Sequence, residues 1–386
     1  MRLVSIIKNV KGDKAIWGVV ILLAVFSLLA VYSSTGTLAY RYKQGNTEFY
    51  MLKHLGILFF GLVLMYLAHK VHFNWYGKFA FAVLVIVIPL LAYTLFFGTR
   101  VNEASRWATL PLINLSFQPS DFAKLAILIY LARVLGKNQD YVKDFKFNLV
   151  FIIIPVLVIV MLILPANFST AVILYASCLI IMFIGRVKPL HLIGLIGVSV
   201  AAIGILVLLL WAYPEYSRIQ TWKNRIENHF GDNPDGKYQS DQAKIAIANG
   251  GVIGKQPGNS VQKNFLPQPY SDFIFAIIIE EYGLIGGSVM VLLYLILLFR
   301  GASIATRTES KFGAFLTFGL AFSLVLQAMI NMAVAVGMIP VTGQPLPLVS
   351  MGGTSLWFTS ISIGIILSVS RSLETETKTD EQYVEV

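Results

Sequence analysis

The 386-residue sequence has little charge, since Asp, Glu, Lys and Arg make up only 13 % of its residues. Soluble globular proteins carry about 25 % charged residues, so an ordinary soluble domain is excluded. The 56 % share of hydrophobic residues and the mean hydropathy of +0.72 indicate a polytopic membrane protein.

Cysteine is nearly absent, and the sequence shows no cluster of metal-binding residue types. The single cysteine, Cys178, cannot form an intramolecular disulfide, and its place inside an apolar segment is typical of a small core residue. Of the five histidines, only His69 and His72 are close together. They have no cysteine or carboxylate nearby, so the sequence favours packing over zinc binding.

Internal repeats are also missing. The sequence has no matched pair of apolar segments interrupted by Gly or Pro, which weakens, without excluding, an interpretation as an inverted-repeat transporter. The glycine-rich run at 250–258 lacks the Gly-Lys-Ser/Thr ending of a Walker A loop and the strand that precedes one. The sequence therefore does not indicate a loop of that kind.

Apolar segments of membrane-spanning length follow one another along the chain. A helix of about 17 to 25 mostly apolar residues crosses a bilayer, which predicts an all-α polytopic membrane protein with about ten transmembrane helices. These spans are expected at 15–34, 52–68, 76–97, 120–135, 149–165, 168–185, 189–212, 273–299, 313–338 and 346–369. We expect residues 1–373 to form one membrane domain and the polar tail 374–386 to be disordered.

Basic residues collect on one side of the predicted membrane. The N-terminal flank and the loops on its side hold most of them, whereas two short loops on the other side hold none. Because such an excess marks the cytoplasmic side, both termini are predicted to be cytoplasmic and residues 214–271 to form a large extracytoplasmic loop between helices 7 and 8. The net charge of +10 is spread over many loops, so no nucleic-acid partner is implied.

The long loop contains two short helix patterns and a glycine run. Residues 221–229 are amphipathic, and residues 240–249 begin with the capping residue Ser240 and end before Gly250 and Gly251. The glycines at 250, 251, 254 and 258 permit tight turns and close approach of the backbone to a ligand. A plain connector is the alternative interpretation.

Asp272 stands where this loop runs directly into the apolar segment 273–279, which Glu280 and Glu281 follow. An ionised Asp near the bilayer core costs on the order of 3 kcal/mol, so such a residue usually has a partner, a water-filled cavity or a function. Asp272 is therefore the first catalytic candidate.

Other polar groups occur at predicted span ends. Arg106 precedes the run Gln118-Pro-Ser-Asp-Phe-Ala-Lys124, in which Asp121 and Lys124 are three residues apart and can pair on one helix face. That pair is either structural or part of a site. The run Gln344 to Ser355 predicts an irregular start to the tenth span, which must be buried in protein or line a cavity.

One cavity on the outer face could collect these groups. It would contain Arg106, Gln118, Lys124, the glycine loop, Asp272 and residues 350–355. Cations beside one carboxylate suit a sugar substrate that carries a pyrophosphate, because the cations hold the phosphate charge while the carboxylate accepts a hydroxyl proton.

These motifs resemble the SEDS family (shape, elongation, division and sporulation), the peptidoglycan glycosyltransferases typified by RodA and FtsW. The resemblance covers nearly the whole chain. Its most specific parts are Ser105-Arg-Trp107, Gln118 to Lys124, Tyr238-Gln239, Gly250-Gly251, Gly258-Asn-Ser-Val-Gln-Lys263, Leu266-Pro267, Ser271 to Ala276, Glu280-Glu281 and Leu346 to Ser355.

The resemblance implies a SEDS fold and an enzyme that polymerises lipid II into glycan strands at the outer face of the bacterial inner membrane during septal wall synthesis. Asp272 matches the essential aspartate of the family, which would deprotonate the acceptor hydroxyl or orient it with a divalent cation, Mg²⁺ or Mn²⁺. No organic cofactor is expected. The implied substrate-binding residues are Arg106, Trp107, Gln118, Asp121, Lys124, Arg225, Gln239, Ser260, Gln262, Lys263, Ser350, Gly352, Gly353 and Ser355.

The run from Gly258 to Lys263 looks more like the division branch (FtsW) of the family than the elongation branch (RodA). The resemblance implies a class B penicillin-binding protein transpeptidase as partner, together with other divisome membrane proteins. The sequence departs from the family pattern at Gln268-Pro-Tyr-Ser271, before the aspartate, and at Pro165-Ala-Asn167, where an acidic residue is lost. The alternative functions are a lipid II flippase, a RodA-type elongation polymerase and a non-catalytic divisome scaffold.

Overall fold

A computed structural model of the protein describes residues 11–43, 46–101, 104–110, 115–212 and 234–384. Its helices are α1 Lys14–Ser34, α2 Gly36–Lys43, α3 Thr47–Lys70, α4 Phe73–Phe97, α5 Pro119–Lys137, α6 Phe145–Ile163, α7 Phe168–Ile184, α8 Pro189–Ala212, α9 Pro234–Gly250, α10 Ile274–Arg307, α11 Lys311–Ala335 and α12 Thr354–Val384. Three short strands are β1 Thr99–Val101, β2 Ala104–Leu110 and β3 Leu115–Phe117.

Ten of these helices coincide with the ten predicted spans, which confirms the all-α membrane fold. Among the described residues, seven helices are long and apolar enough to cross a bilayer, and α7 and the first part of α8 are shorter apolar helices. Helix α5 carries four charged residues, but 14 of its 19 residues are buried. The bundle around it therefore replaces the lipid as its surroundings.

The segment between α4 and α5 differs from a purely helical prediction. It forms an antiparallel three-stranded sheet in the order β1-β2-β3, in which Thr99 is opposite Trp107 and Thr109 is opposite Ser116. Thr, Val, Trp and Phe, which all occur in these strands, are residues that favour strands. The predicted site residues Arg106 and Trp107 lie on β2.

The tenth span begins later than predicted, at Thr354 instead of 346, because residues 336–353 leave α11 without forming another helix. Protein groups satisfy this irregular backbone, as its depth requires. The Tyr294 hydroxyl donates to the Pro347 carbonyl oxygen over 2.6 Å, and the Ser27 hydroxyl donates to the Val349 carbonyl oxygen over 2.8 Å. The prediction of an irregular, buried start to this span is confirmed.

The sequence predicts a continuous helix here, but Gly283 interrupts α10 with φ 70° and ψ −172°. The glycine turn after α9 fits into this break. The amides of Leu284 and Ile285 donate to the carbonyl oxygens of Gly251 and Val252 at 2.9 Å and 3.3 Å. The glycine run thus brings two backbones together, and in this structure the backbone it approaches is that of α10.

The boundaries of the other loop elements also differ from the predictions. Helix α9 ends at Gly250, one residue after the predicted end at 249, and begins at Pro234, six residues before the predicted cap Ser240. The amphipathic helix predicted at 221–229 lies outside the described residues. The backbone of the predicted disordered tail is helical as far as Val384, because α12 continues that far. The domain boundary at 373 stays a prediction.

The break at Gly283 predicts a large effect for Gly283→Ala. An added Cβ would lie 2.1 Å from the Val252 carbonyl oxygen, and this backbone conformation is essentially restricted to glycine. We expect a loss of about 3 kcal/mol in the free energy of unfolding, measured by thermal unfolding in detergent. Gly56→Ala is the control, since no atom lies within 4 Å of its added Cβ. Equal stability of the two variants would contradict the role assigned to the break.

Candidate functional site

Asp272 lies two residues before the start of α10 and is half-buried. The Ser271 hydroxyl donates to its Oδ1 over 3.0 Å. Gly343, with φ +66°, passes on the other side, since a Cβ on it would be 3.7 Å from Oδ2. The departure Gln268-Pro-Tyr-Ser271 forms a turn in which the Ser271 amide donates to the Gln268 carbonyl oxygen over 3.0 Å. This turn presents the hydroxyl that bonds the carboxylate.

The backbone on either side of this carboxylate is clamped by two other elements. Asn331 of α11 donates from Nδ2 to the carbonyl oxygens of Asp272 and Gln344, at 3.0 Å and 2.7 Å. The Ser350 hydroxyl donates to the Ser271 carbonyl oxygen over 2.6 Å, and the Met351 amide donates to the Tyr270 carbonyl oxygen over 2.9 Å. The position of Asp272 is therefore set through its main chain.

The predicted pair of Asp121 and Lys124 on α5 is confirmed, with 2.8 Å between Oδ1 and Nζ. The Lys124 ammonium also donates to Gln327 Oε1 over 3.0 Å. Both side chains are largely buried, at 5 % and 13 % exposure. They line a cavity of about 30 Å³ together with Ser355, which is room for about two water molecules.

A row of buried amides connects this pair to Asp272. Gln327 and Asn331 are four residues apart on α11 and therefore share one face. Gln327 donates from Nε2 to the Pro345 carbonyl oxygen over 2.9 Å, while the side chain of Gln344 donates to Thr170 Oγ1 of α7 over 2.8 Å. We call Lys124, Gln327, Asn331 and Gln344 the polar seam. Sequence reasoning missed Gln327 and Asn331, although two amides in one apolar span are a signal because polar groups are costly at that depth.

The predicted site residues of the glycine loop lie elsewhere. Ser260 and Gln262 are buried and contact Glu280, which accepts hydrogen bonds from the Ser260 hydroxyl, the amides of Val261 and Gln262, and the Lys255 ammonium. Glu280 lies eight residues into the chain after Asp272, or about 12 Å along a helix. The glycines of the loop pack on residues 279–285, and the single cavity predicted to include the loop stays a prediction.

Glu281 forms a second contact between this loop and the bundle. Its carboxylate accepts a hydrogen bond from the Ser33 hydroxyl of α1 and one from the Ser260 amide at 3.4 Å. The Lys263 ammonium approaches the Ser33 hydroxyl at 3.4 Å and donates to the Gly258 carbonyl oxygen over 2.7 Å. The two glutamates thus fasten the loop to α10 and α1.

The remaining predicted site residues are distributed around the same end of the bundle. The Gln118 amide donates to Thr354 Oγ1 over 3.3 Å, Gly352 and Gly353 are partly exposed beside it, and Gln239 is exposed on α9. Ser350 is buried, and its hydroxyl is engaged by Ser271 and the Leu346 amide. Arg225 lies outside the described residues.

A dedicated metal cage is not present in the described ranges, where no three His, Cys, Asp or Glu residues come together to hold an ion. Asp272 contributes one carboxylate. That supply fits a cation such as Mg²⁺, which is often held by one or two carboxylates, with water and substrate phosphate as its other ligands.

A bundle of about ten membrane helices, with one clamped carboxylate and a buried polar seam at one end, defines a multi-pass membrane protein with a polar site at its surface. The chain belongs to the SEDS family, since the family model described as "Cell cycle protein" (FtsW, RodA and SpoVE) matches residues 13–375.

Relatives and solved structures agree with this assignment. The chain is 33 % identical, over 95 % of its length and 98 % of the relative's, to the probable peptidoglycan glycosyltransferase FtsW of Geobacter sulfurreducens. It is 32 % identical to stage V sporulation protein E of Bacillus subtilis, over 94 % and 98 % of the two chains.

The fold resembles the crystal structure of the rod shape determining protein RodA of Thermus thermophilus, with a TM-score of 0.65 and 24 % identity, over 95 % of this chain and 98 % of that chain. A structure titled "Structural coordination of polymerization and crosslinking by a peptidoglycan synthase complex" matches with a TM-score of 0.69 and 24 % identity, over 94 % and 98 % of the two chains.

The buried pair on α5 predicts a non-additive effect on stability. Asp121→Asn should lower the free energy of unfolding by about 3 kcal/mol, because it leaves the Lys124 charge buried without its counter-ion. Asp121→Asn combined with Lys124→Gln should recover part of that loss, as measured by thermal unfolding of the four proteins of the cycle.

A matched pair on α9 provides the control for this cycle. Asp241 and Lys244 have the same i,i+3 spacing, at 3.4 Å, but are about half exposed, so their cycle should give a coupling below about 1 kcal/mol. If the two cycles gave the same coupling, burial of the α5 pair would have no energetic consequence.

Proposed function

We propose that this protein is a peptidoglycan glycosyltransferase that polymerises lipid II into glycan strands during septal wall synthesis. The observation that carries the proposal is the placement of Asp272 at one end of the bundle. Two other elements hold the backbone at this residue through hydrogen bonds to the carbonyl oxygens of Asp272 and Ser271. A base held in this way can be aimed at a substrate hydroxyl. The relative from Geobacter sulfurreducens, named a probable peptidoglycan glycosyltransferase, supports the same activity.

In the proposed reaction Asp272 accepts the proton of the GlcNAc 4-hydroxyl of the acceptor lipid II. The oxygen then forms a bond to the anomeric carbon of the donor glycan. The bond from that carbon to the pyrophosphate oxygen breaks, and undecaprenyl pyrophosphate leaves with the electron pair. The Ser271 hydroxyl donates to Oδ1 and so orients the carboxylate. Because Ser271 is the donor in this bond, the carboxylate can still accept the proton of the substrate hydroxyl.

The polar seam assigns Lys124 a supporting role. Its ammonium is already paired with Asp121 and hydrogen-bonded to Gln327, so the pair is neutral overall and contributes little attraction to a phosphate. Lys124 then acts as a positioning residue, through Gln327 and the Pro345 carbonyl oxygen, on the segment that borders Asp272. Arg106 on β2 remains the proposed ligand of the substrate pyrophosphate.

A divalent cation fits this scheme as a group shared with the substrate. Asp272 would supply one ligand, and the cation would neutralise charge that develops on the leaving pyrophosphate. The described residues offer no further carboxylate cluster for it.

The protein is a multi-pass membrane protein, and we place it in the bacterial inner membrane with both termini in the cytoplasm. The basic loops support that orientation, which puts Asp272 at the outer leaflet. A class B penicillin-binding protein transpeptidase is the proposed partner, with other divisome membrane proteins around the pair. The match to a structure whose title names a peptidoglycan synthase complex is consistent with that partner.

The assignment of Asp272 is tested by polymerisation of labelled lipid II by the purified protein together with its transpeptidase. Asp272→Asn should reduce glycan synthesis by about a hundredfold to ten-thousandfold, since that is the range contributed by general base catalysis. Asp241→Asn, the same change at an exposed position of α9, should leave the rate unchanged.

Each alternative function gives a different result in the same experiments. A flippase would move lipid II across partner-free liposomes without making polymer, and its transport would survive Asp272→Asn. A scaffold would allow cells with Asp272→Ala to divide. An elongation polymerase would also make polymer. In cells that lack the chromosomal gene for this protein, it would restore rod growth instead of division. Polymer made by the Asp272→Asn variant at the wild-type rate would contradict the site assignment.

The cation is tested by removing it. With EDTA the wild-type protein should lose polymer synthesis, and added Mg²⁺ or Mn²⁺ should restore it, because one protein carboxylate alone holds such a cation weakly. The amount of lipid II bound should be measured in parallel, since a shared cation also strengthens substrate binding. Unchanged polymerisation after chelation would rule out the cation.

A further inference from the structure

A second cavity lies between α4 and α5, toward the end of the bundle opposite Asp272. It has a volume of about 290 Å³ and is lined by apolar side chains. Ala80 and Ala126 form its floor and are buried, whereas Val71, Trp75 and Phe79 form a rim that is 41–56 % exposed. The small side chains of the two alanines create the space, because larger residues there would fill it.

This cavity, which we call the slot, opens to the surroundings of the helix bundle. In a bilayer the exposed side of α4 contacts hydrocarbon, so an apolar opening there takes up an apolar chain more readily than water. A partner's membrane helix has a diameter of about 10–12 Å with its side chains, so it would cover the slot without entering it. An acyl chain is thin and flexible enough to enter.

Basic residues lie near one end of the slot. The Lys78 ammonium lies 4.2 Å from the centroid of the Trp75 ring, on the rim. Lys70 adjoins Val71 in sequence, and its ammonium lies 4.9 Å from the centroid of the Tyr66 ring, one turn earlier on α3. The Arg371 guanidinium donates to the Lys70 carbonyl oxygen over 3.0 Å. The Arg133 guanidinium donates to the Gly77 carbonyl oxygen. Within the described part of the chain, neither Lys70 nor Lys78 forms an ion pair.

From this combination we infer that the slot binds one acyl chain of an anionic phospholipid, whose phosphate lies between Lys78 and Lys70. Basic clusters beside membrane helices attract anionic head groups, and the ammonium groups can donate to phosphate oxygens. The site is separate from the polar seam, and nothing in the proposed reaction uses it. Its side of the protein is the one that the basic loops predict to be cytoplasmic.

The test measures lipid retained by the purified full-length protein, by native mass spectrometry after exchange into mixed phosphatidylglycerol and phosphatidylcholine. Phosphatidylglycerol should be retained in preference. Lys78→Gln should lower its retention about fivefold, in line with the attraction of one basic residue for an anionic membrane surface. Ala80→Leu should lower retention of both lipids, because the larger side chain occupies the slot.

Two matched variants serve as controls. Lys53→Gln removes the same charge from an exposed position nearer the other end of α3, and Ala82→Leu makes the same enlargement at an exposed position of α4. Both should retain lipid as the wild type does. Equal retention of the two lipids by the wild type, or equal losses in Lys53→Gln and Lys78→Gln, would overturn the inference.

A folding defect in the Ala80→Leu protein would not rescue the proposal, because Lys78→Gln changes an exposed side chain and tests the head-group contact by itself. If Ala80→Leu abolished co-purification of the transpeptidase while lipid retention stayed unchanged, the occupant would be the partner's helix and the lipid assignment would be wrong.

Discussion

Backbone that leaves a helix inside a membrane has no water to bond, so every peptide group there must find a partner in the protein. This constraint shapes the end of the bundle that carries Asp272. The irregular segment 336–353 is held by Tyr294, Ser27, Asn331 and its own turn. The break at Gly283 is closed by carbonyl oxygens of the glycine turn. Both irregularities are possible because other elements of the protein supply the hydrogen-bond partners that the bilayer cannot.

The same constraint explains how the backbone of the candidate site is held in place. The groups that satisfy the irregular segment also bond the backbone next to Asp272, since Asn331 reaches both Gln344 and Asp272 and Ser350 reaches Ser271. A carboxylate whose main chain is fixed in this way does not have to be ordered when substrate arrives, which favours catalysis by positioning. One hydrogen-bond network thus both satisfies the irregular backbone and places the proposed base.

Several features could be predicted from the sequence because their signals are local. Hydropathy placed the ten spans, and the i,i+3 spacing of Asp121 and Lys124 predicted a pair that the structure confirms. The motifs were enough to identify the family. The resemblance assigned substrate-binding roles to Ser260 and Gln262. In the structure both residues are buried around Glu280, which favours a role in holding the loop.

The sequence by itself determined the membrane class, the order of the spans, the family and the placement of Asp272 at a span boundary. Apart from its neighbour Ser271, the partners of that residue, like those of Glu281, were decided by the tertiary structure. Asn331 is 59 positions from Asp272, and Ser33 is 248 positions from Glu281. The physical reason is that hydropathy and helix periodicity act over a few residues, whereas a buried hydrogen bond depends on which distant helices pack side by side.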